Sequence, residues 1–441
     1  MPKLILFLIL ISVVSTASSS LREAVTLPTG FFQLSGTDVS LTDNDLKGPA
    51  QALLKEAKVI SIGDVVPGSE GFYGIKVRLI RYLIEKRGFR FFGMEENWVS
   101  SHDMEVYVDT CQGDPLNALK AFYPTEQAQV VLDLFKWICQ FNLAHPHDHV
   151  AFRGFDIQDP WKTGPAFHEF LKRSDPANAE ALFSKLDTCS AGLHVRNKEE
   201  YRQTQEYKNY KGKKDPIPSD ANDHCISEIT AIRKYLASNQ RQIELSTSLN
   251  DFKKATLLLS AIEGWQLEMF NSFSDEAAHW NQRDHHMAEL FQTLRNMDGR
   301  NPKTVIWSHF VHVMKHTEDL SGINDTFAGV PMLGSYLLKS FGKSYRALLV
   351  TGYEVEDTTM SGAAETHTAK SGSLESQLHN IGQGEDLLVD PNSSAIAPGV
   401  TAIIDSGDAP MTIDLRHQFD GVVFVNHSSA YSPAGFMPFR L

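Results

Sequence analysis

Short runs rich in β-branched and aromatic residues alternate with long amphipathic stretches along this chain. Seven runs have the length and composition of strands: KVISIG (58–63), FRFFGME (89–95), HVAFRGFDI (149–157), KTVIWSH (303–309), YRALLVTGY (345–353), VTAIIDS (400–406) and DGVVFVN (420–426). Strands separated by helices form βαβ units, in which neighbouring strands run parallel. The alternation therefore predicts an α/β fold with a largely parallel sheet flanked by helices.

Residues 167–299 interrupt this alternation, because they hold long helical patterns and no convincing strand. We expect a helical insertion or cap over an α/β body whose two parts are residues 20–166 and 300–441. Inside the insertion, the charged segment 197–220 ends in two prolines and predicts a mobile connection between helices. Residues 358–398, rich in Gly, Ser, Thr and Asn, are either a linker or a lid-like loop between two strands.

The first 19 residues have the order of a secretory signal peptide. Lys3 precedes an apolar run at 4–14, and small residues follow as far as residue 20. We therefore expect a secreted protein, or a periplasmic one if the host is a Gram-negative bacterium. No other run approaches about 18 apolar residues, so no membrane association is expected after removal of the signal.

The cysteines and the net charge indicate the compartment of the protein and exclude one class of partner. The four cysteines are Cys111, Cys139, Cys189 and Cys225. They suit an oxidising compartment, show no CxxC spacing that would indicate a metal or redox site, and leave their pairing open. The net charge of −13 provides no basic surface for phosphate backbones. Nucleic acid is therefore not an expected partner.

Ionisable side chains stand where several predicted strands end. They are Asp64, Glu95, Glu96, Asp156, His309, His312 and Glu354. In open parallel sheets ligands bind beyond the carboxyl ends of the strands, so these side chains are candidates for one site. Helix capping is the alternative for Asp64 and Asp156, and a solvated loop position is the alternative for Glu354. Glu95 and His309 directly follow apolar strands and would be costly to bury without a partner or a purpose.

Residues 59–98 resemble the opening of the erythromycin esterase family. The segment VISIGDVVPGSEGFYGIKVRLIRYLIEKRGFRFFGMEENW follows that family's order of a strand, a G-E-x-x-H-G loop, a basic helix, G-F, and a strand ending in a glutamate followed closely by tryptophan. The likeness continues through FKWICQFN, VAFRGFDIQ, NQRDHHMAEL, VIWSHFVHV and PMLGSYLLKSFGKSYRALLVTGYE. This ordered set covers nearly the whole mature chain.

The resemblance implies a hydrolase that opens macrolide lactones with a histidine-activated water, in a cleft between an α/β body and helices. It implies no metal, no cofactor and no acyl-enzyme serine, and the chain contains neither a G-x-S-x-G elbow nor an H-E-x-x-H helix. Position by position, it places Glu95 on the family's glutamate, Arg283 on its helix arginine and His309 on its late histidine.

Three positions depart from the family's pattern. Asp64 stands in place of a glutamate, Pro67 in place of the histidine expected to be the general base, and Phe310 in place of an asparagine. Lys76 stands near the family's arginine on the first helix. Because proline has no lone pair that can accept a proton, the first base of the family is missing.

Activity would then depend on another group. His309 paired with Glu95 is the first candidate base, and the alternatives are His312, or Glu95 itself with a pKa raised by burial. A tryptophan beside Glu95 would favour such a raised pKa by excluding water. The residues predicted to contact the substrate are Lys76, Trp98, Arg283 and His312.

Three functions stay open at this stage. The first is a hydrolase of an ester or lactone with an altered active site. The second is a catalytically inactive family member that binds a small hydrophobic ligand. The third is a metal- or haem-binding protein on a related fold, for which the histidine-rich HPHDH at 145–149 is a weak signal because Pro146 prevents helical ligand spacing.

Overall fold

The computed structural model describes residues 26–158, 160–195, 198–212, 214–297, 299–317, 321–322, 327–358, 364–396, 400–404 and 410–435. The predicted signal peptide lies outside these residues. The described strands are β1 (Phe31–Gln33), β2 (Val59–Asp64), β3 (Phe91–Asn97), β4 (Ala151–Asp156), β5 (Thr304–His309), β6 (Ser321–Gly322), β7 (Tyr345–Thr358), β8 (Ala364–Thr368), β9 (Leu387–Val389), β10 (Val400–Ile404), β11 (Pro410–Asp414) and β12 (Gly421–Ser428).

The described α-helices are α1 (Lys47–Leu53), α2 (Glu70–Arg87), α3 (His102–Thr110), α4 (Pro115–Leu119), α5 (Gln129–Ala144), α6 (Thr163–Ser174), α7 (Ala179–Phe183), α8 (Lys198–Gln203), α9 (Gln205–Gly212), α10 (Ser219–Ser238), α11 (Gln240–Ser246), α12 (Leu249–Asn271), α13 (Glu276–Asn296), α14 (Phe310–Val313), α15 (Leu333–Phe341), α16 (Leu374–Gly382) and α17 (Leu415–Gln418).

The main sheet has the strand order β1-β9-β12-β7-β2-β5-β3-β4, and β8 joins it by pairing with β7. The six strands from β12 to β4 run parallel, whereas β1, β8 and β9 pair antiparallel with their neighbours. The prediction of an α/β fold with a largely parallel sheet flanked by helices is confirmed. One predicted strand lies elsewhere, because β10 forms a hairpin with β11 and these two join β6 in a separate antiparallel sheet.

The centre of the main sheet is buried on both faces. All six residues of β2 are buried, as expected of a parallel strand with helices above and below. The following helix, α2, ends at Gly88, which adopts the left-handed conformation (φ 70°) of a helix C-cap. β5 lies between β2 and β3, and Asp64 of β2 is in register with His309 of β5. The carboxyl ends of β2, β3, β4 and β5 are therefore adjacent.

The described residues between β4 and β5 hold helices and no strand. Within this segment α12 packs against α13, α6 and α10. Two disulfides, Cys111–Cys139 and Cys189–Cys225, settle the pairing that the sequence left open. No helix in the described ranges is long and apolar enough to cross a membrane.

The prediction that 197–220 is a mobile connection is wrong for most of its length, since it forms α8, α9 and the start of α10. The physical reason is an apolar anchor among the charges: Tyr201 is buried and packs against Trp161 and Trp265.

The linker reading of residues 358–398 is also wrong, because this segment contains β8, α16 and β9. The pairing of β8 with β7 extends β7 as far as Thr358. Glu354 therefore lies within a strand, exposed, and not at a strand end.

Candidate active site

Glu95, near the end of β3, is the centre of a buried charge cluster. Its Oε1 accepts from Nη2 of Arg283 at 2.9 Å and lies 3.2 Å from Nε2 of His312. Its Oε2 accepts from Ser308 Oγ at 2.6 Å and from the backbone N–H of His309 at 2.8 Å. Both oxygens thus have two partners, and the carboxylate joins β3 to β5, α13 and α14.

Arg283, on α13, connects Glu95 to the end of β4. Its Nη2 donates to Oδ2 of Asp156 at 2.5 Å, and its Nε donates to Oδ1 of the same residue at 3.2 Å. Tyr123 adds a hydroxyl that donates to Asp156 Oδ2 at 3.0 Å. This guanidinium is therefore held by two carboxylates, which fixes its orientation.

His312, on α14, lies between two carboxylates. Its Nδ1 is 2.9 Å from Asp284, which follows Arg283 on α13, and its Nε2 faces Glu95. Burial alone would lower the pKa of His312, but Asp284 and Glu95 outweigh it and raise the pKa to about 10. The ring is therefore an imidazolium at neutral pH.

The same contacts decide the protonation of Glu95. Burial would raise the pKa of Glu95, but His312, Arg283 and Ser308 outweigh it and hold the pKa well below its usual range. The prediction of a Glu95 pKa raised by burial is therefore wrong. His312 is disfavoured as the base, because both of its ring nitrogens face carboxylates and its raised pKa favours the protonated ring near pH 7.

A second buried ion pair lies beside this cluster. Lys76 of α2 donates to Asp64 at the end of β2, and both side chains are almost fully buried. Lys76 Nζ also lies 3.3 Å from the carbonyl oxygen of Ser308 and 4.2 Å from the centre of the Trp307 ring. Ser308 is thus the link between the two groups, because its hydroxyl donates to Glu95.

A cavity of about 610 Å³ opens onto the Glu95 cluster. Its lining includes Glu95, Arg283 and Tyr123 from the cluster and Pro67 from the loop after β2. This volume is within the range of pockets for small organic ligands. Pro67 therefore lies at the cavity wall where the resemblance calls for a histidine.

Part of the cavity lining is a group of aromatic side chains. Trp161, Tyr201 and Trp265 belong to one buried cluster, and Tyr207 and Tyr210 of α9 pack against it. All five side chains line the cavity. The β7–β8 hairpin supplies Asp357, Thr358 and Glu365 to the same lining, so the 358–398 segment does reach the cavity.

Only some of the site residues predicted from sequence are in contact with one another. Glu95, Arg283 and His312 form one cluster, while His309 contacts Glu95 through its backbone N–H. Asp64 and Lys76 form the neighbouring buried pair, and the cavity lining contains neither of them, nor His309 or His312. Phe310 is fully buried, in close contact with Gly63, where a Cβ would come within 2.6 Å of the Phe310 Cα.

Trp98 does not line this cavity. It is buried at a second depression of about 430 Å³, together with Phe170 and Leu258. The chain turns away after Asn97, and the side chain of Trp98 packs toward α6 and α12 instead of toward Glu95.

Sequence reasoning missed several members of the site. Asp284 lies on a helix and so lacked the strand-end signal, although it stands directly after Arg283 in the sequence. Tyr207 and Tyr210 were hidden in a charged segment, although their i, i+3 spacing places them on one helix face. No group of three or more His, Cys, Asp or Glu side chains suited to a metal ion is found in the described part of the chain.

A family model for erythromycin esterase matches residues 84–428. The chain belongs to the erythromycin esterase family. The match begins after the loop that carries Asp64 and Pro67, which are two of the three departures from the family's pattern. Glu95, Arg283 and His312 lie within it.

Relatives and solved structures are similar over most of the chain. The putative hydrolase YbfO of Bacillus subtilis is 23% identical over 393 residues, covering 85% of this chain and 84% of that protein. Erythromycin esterase type II of Escherichia coli is 19% identical over 422 residues, covering 86% and 92%. A Bacillus cereus protein has a TM-score of 0.73 at 18% identity, covering 92% of this chain and 96% of that one. The erythromycin esterase mutant EreC in its open conformation has a TM-score of 0.68 at 18% identity, covering 92% and 100%.

Proposed function

We propose that this chain is an exported hydrolase that cleaves an ester or lactone in the cavity beside Glu95. The observation that carries the proposal is the buried Glu95–Arg283–His312 cluster, of which Glu95 and Arg283 line a ligand-sized cavity. The Arg283 guanidinium, held in a fixed orientation, can donate to a carbonyl oxygen on which negative charge develops during attack by water. The leader-like first 19 residues and the two disulfides support export.

His309 is the proton acceptor in this proposal. Its backbone is fixed by Glu95, and its half-buried ring lies 6.5 Å from the His312 ring. The oxygen of a water molecule bonds to the acyl carbon while its proton passes to the His309 imidazole. The bond between the acyl carbon and the alcohol oxygen then breaks, and the alcohol takes that proton. Arg283, which lines the cavity, supplies the electrostatic stabilisation.

Hydrolysis of short-chain nitrophenyl esters by the purified protein tests this proposal. We expect a rate above that of buffer, rising with pH across the range in which histidines ordinarily titrate, around 6.5. His309→Asn should reduce the rate by at least about tenfold, because a positioned base contributes about 10² to 10⁴. The matched control is His285→Asn, since His285 is a partly exposed residue of α13 outside the cavity lining. Equal rates for wild type and His309→Asn would refute the assignment.

A second function is favoured by one observation. Pro67 occupies the cavity wall, and both Glu95 and His312 are fully engaged by other groups. A chain with this site could bind a small hydrophobic ligand without turning it over. Tight binding of such a ligand, together with ester hydrolysis no faster than in buffer, would select this function over the first.

A further inference from the structure

The aromatic wall of the cavity is held in place by its own hydrogen bonds. The hydroxyl of Tyr201 donates to Glu206 at 2.9 Å, and Nε1 of Trp265 donates to Ser190 Oγ at 2.9 Å. Ser190 in turn donates to Glu206 at 2.5 Å. Because the polar atoms of Tyr201 and Trp265 are occupied, these two residues offer ring surface to a ligand.

Two cationic side chains, Lys211 and Arg202, line the same cavity. Lys211 Nζ lies 5.3 Å from the centre of the Tyr210 ring and 5.9 Å from that of Tyr207. Within the described part of the chain, no carboxylate is within ion-pair distance of Lys211. Arg202 is 3.7 Å from Glu199 in an exposed pair, a contact of little strength. The α8–α9 side of the cavity therefore carries a lysine with no carboxylate partner among the described residues and an arginine whose ion pair is weak.

No acidic side chain of the cavity lining lies on α8 or α9, although Glu206 of α9, outside the lining, accepts from the Tyr201 hydroxyl. Glu95 is neutralised by Arg283 and His312, as described above. Asp357, on the β7–β8 hairpin, lies 3.6 Å from His367. Glu365 stands exposed on the same hairpin. An anionic group on a ligand is thus repelled from the hairpin side and attracted to the α8–α9 side.

We propose that the α8–α9 wall selects substrates that are amphipathic anions, with a flat apolar ring system carrying one carboxylate or sulfonate-type group. This inference rests on the proposed function and names its substrate class. The rings of Trp161, Tyr201 and Trp265 stack on the apolar body, while Arg202 and Lys211 hold the anionic group. The susceptible bond of the substrate then lies toward Glu95, which lines the same cavity.

Two fluorescent probes test the charge preference directly. Anilinonaphthalene sulfonate carries the anion, and phenylnaphthylamine is its uncharged counterpart. We expect the Arg202→Gln/Lys211→Gln double variant to weaken sulfonate binding by about three- to tenfold, as expected for loss of two exposed charge contacts. Binding of the uncharged probe should change by less than about twofold. Glu365→Gln should strengthen sulfonate binding.

The matched control is Lys208→Gln/Lys214→Gln, which removes two exposed charges from the same segment without touching the cavity lining. If this control weakens sulfonate binding as much as the cavity variant, general charge attraction explains the preference and the proposal fails. Equal losses for the charged and uncharged probes in the cavity variant would also overturn it.

Esters separate this inference from the proposed function. Carboxyphenyl acetate and phenyl acetate differ in one anionic group, and the ratio of their kcat/KM values should fall in the Arg202→Gln/Lys211→Gln variant. An unchanged ratio, with His309-dependent hydrolysis of both esters, would overturn the substrate class and leave the hydrolase standing. Selective binding of the sulfonate without any hydrolysis would support anion recognition by the α8–α9 wall and would contradict the proposed hydrolase function.

Discussion

The Nδ1 of His312 lies 2.9 Å from both carboxylate oxygens of Asp284. Asp284 also accepts from the backbone N–H of Leu333 at 2.6 Å, so α13, α14 and α15 meet at this carboxylate. The pKa of His312 is raised to about 10, against opposing burial, by Asp284 and Glu95. Its contribution to stability is fully present below the unfolded pKa, about 6.5, and is lost as the pH rises through about 10.

The first effect of replacing His312 should therefore be a loss of folding stability. We expect His312→Gln to lower the free energy of unfolding at pH 7 by about 3 to 5 kcal/mol, because two buried carboxylates lose their shared cation. Urea denaturation measures this change. His285→Gln, at a partly exposed position of α13, should cost less than about 1 kcal/mol. A loss of similar size in both variants would contradict the buried role of His312.

Glu268 gives a pH dependence of its own. It is buried on α12, accepts from Gln158 at 2.6 Å, and its other oxygen has no partner among the described residues. Burial, opposed by Arg283, raises the pKa of Glu268 from 4.5 to about 8. The folded state thus keeps a proton that the unfolded state loses, and stability falls as the pH rises from about 4.5 to about 8.

We expect Glu268→Gln to remove the fall in stability between about pH 4.5 and pH 8. Its free energy of unfolding should match the wild type near pH 4.5 and exceed it by a few kcal/mol near pH 8, an order-of-magnitude figure from the size of the shift. Glu263→Gln on the same helix removes a partly exposed pair with Arg233 and should show no such trend. A constant difference between Glu268→Gln and wild type across this pH range would count against a protonated Glu268.

Pro67→His tests whether the missing base alone limits hydrolysis. The new imidazole would enter the cavity that Glu95 and Arg283 line. We expect the rate of ester hydrolysis to rise about tenfold or more, within the usual contribution of a positioned base. Pro124→His places an imidazole at another point of the same lining and should give no gain. Thermal denaturation must first show that both variants are folded, and a folded Pro67→His variant with an unchanged rate would indicate that the loop follows a path unsuited to catalysis.

The buried pair of Asp64 and Lys76 predicts non-additive stability effects. Lys76→Met should cost about 3 to 5 kcal/mol, because it leaves Asp64 buried without its cation. Asp64→Asn in the same chain should recover at least half of that loss, since no charge is then left unpaired. Lys86→Met changes an exposed residue of the same helix and serves as the control. If the double variant is as unstable as the sum of the single ones, the pair does not act as a unit.

The strands and much of the site could be predicted from sequence because both follow local patterns. Runs of β-branched residues marked β2, β3, β4, β5, β7 and β12, and the family resemblance implied that Glu95 and Arg283 belong to one site. The protonation of Glu95 could not be predicted in the same way. Burial was visible in the apolar strand, but the opposing charge of His312 depends on Asp284, and no local pattern connects that helix residue to β3.

The prediction that the α8–α9 segment is a mobile connection was wrong for a different physical reason. Its charges face solvent and dominate the sequence, whereas the tyrosines that fix it are few. Tyr201 packs against Tyr207 nearby, but also against Trp161 and Trp265, which stand about 40 and 64 positions away. Helices held by distant aromatic contacts leave a weak local signature.

The insertion of β5 between β2 and β3 determines the order in which the protein can be assembled. Asp64 and His309 are 245 positions apart, so a ribosome completes β2, α2, β3 and β4 long before their central neighbour exists. Until β5 arrives, β2 has neither of its neighbours, β5 and β7, and β3 has only β4. Unpaired strand edges are templates for association with other chains. Pairings this distant in sequence also slow folding. Nascent chains are therefore expected to be most prone to aggregation just before residues 304–309 emerge, and a chaperone that holds the chain at that stage should raise the yield of folded protein.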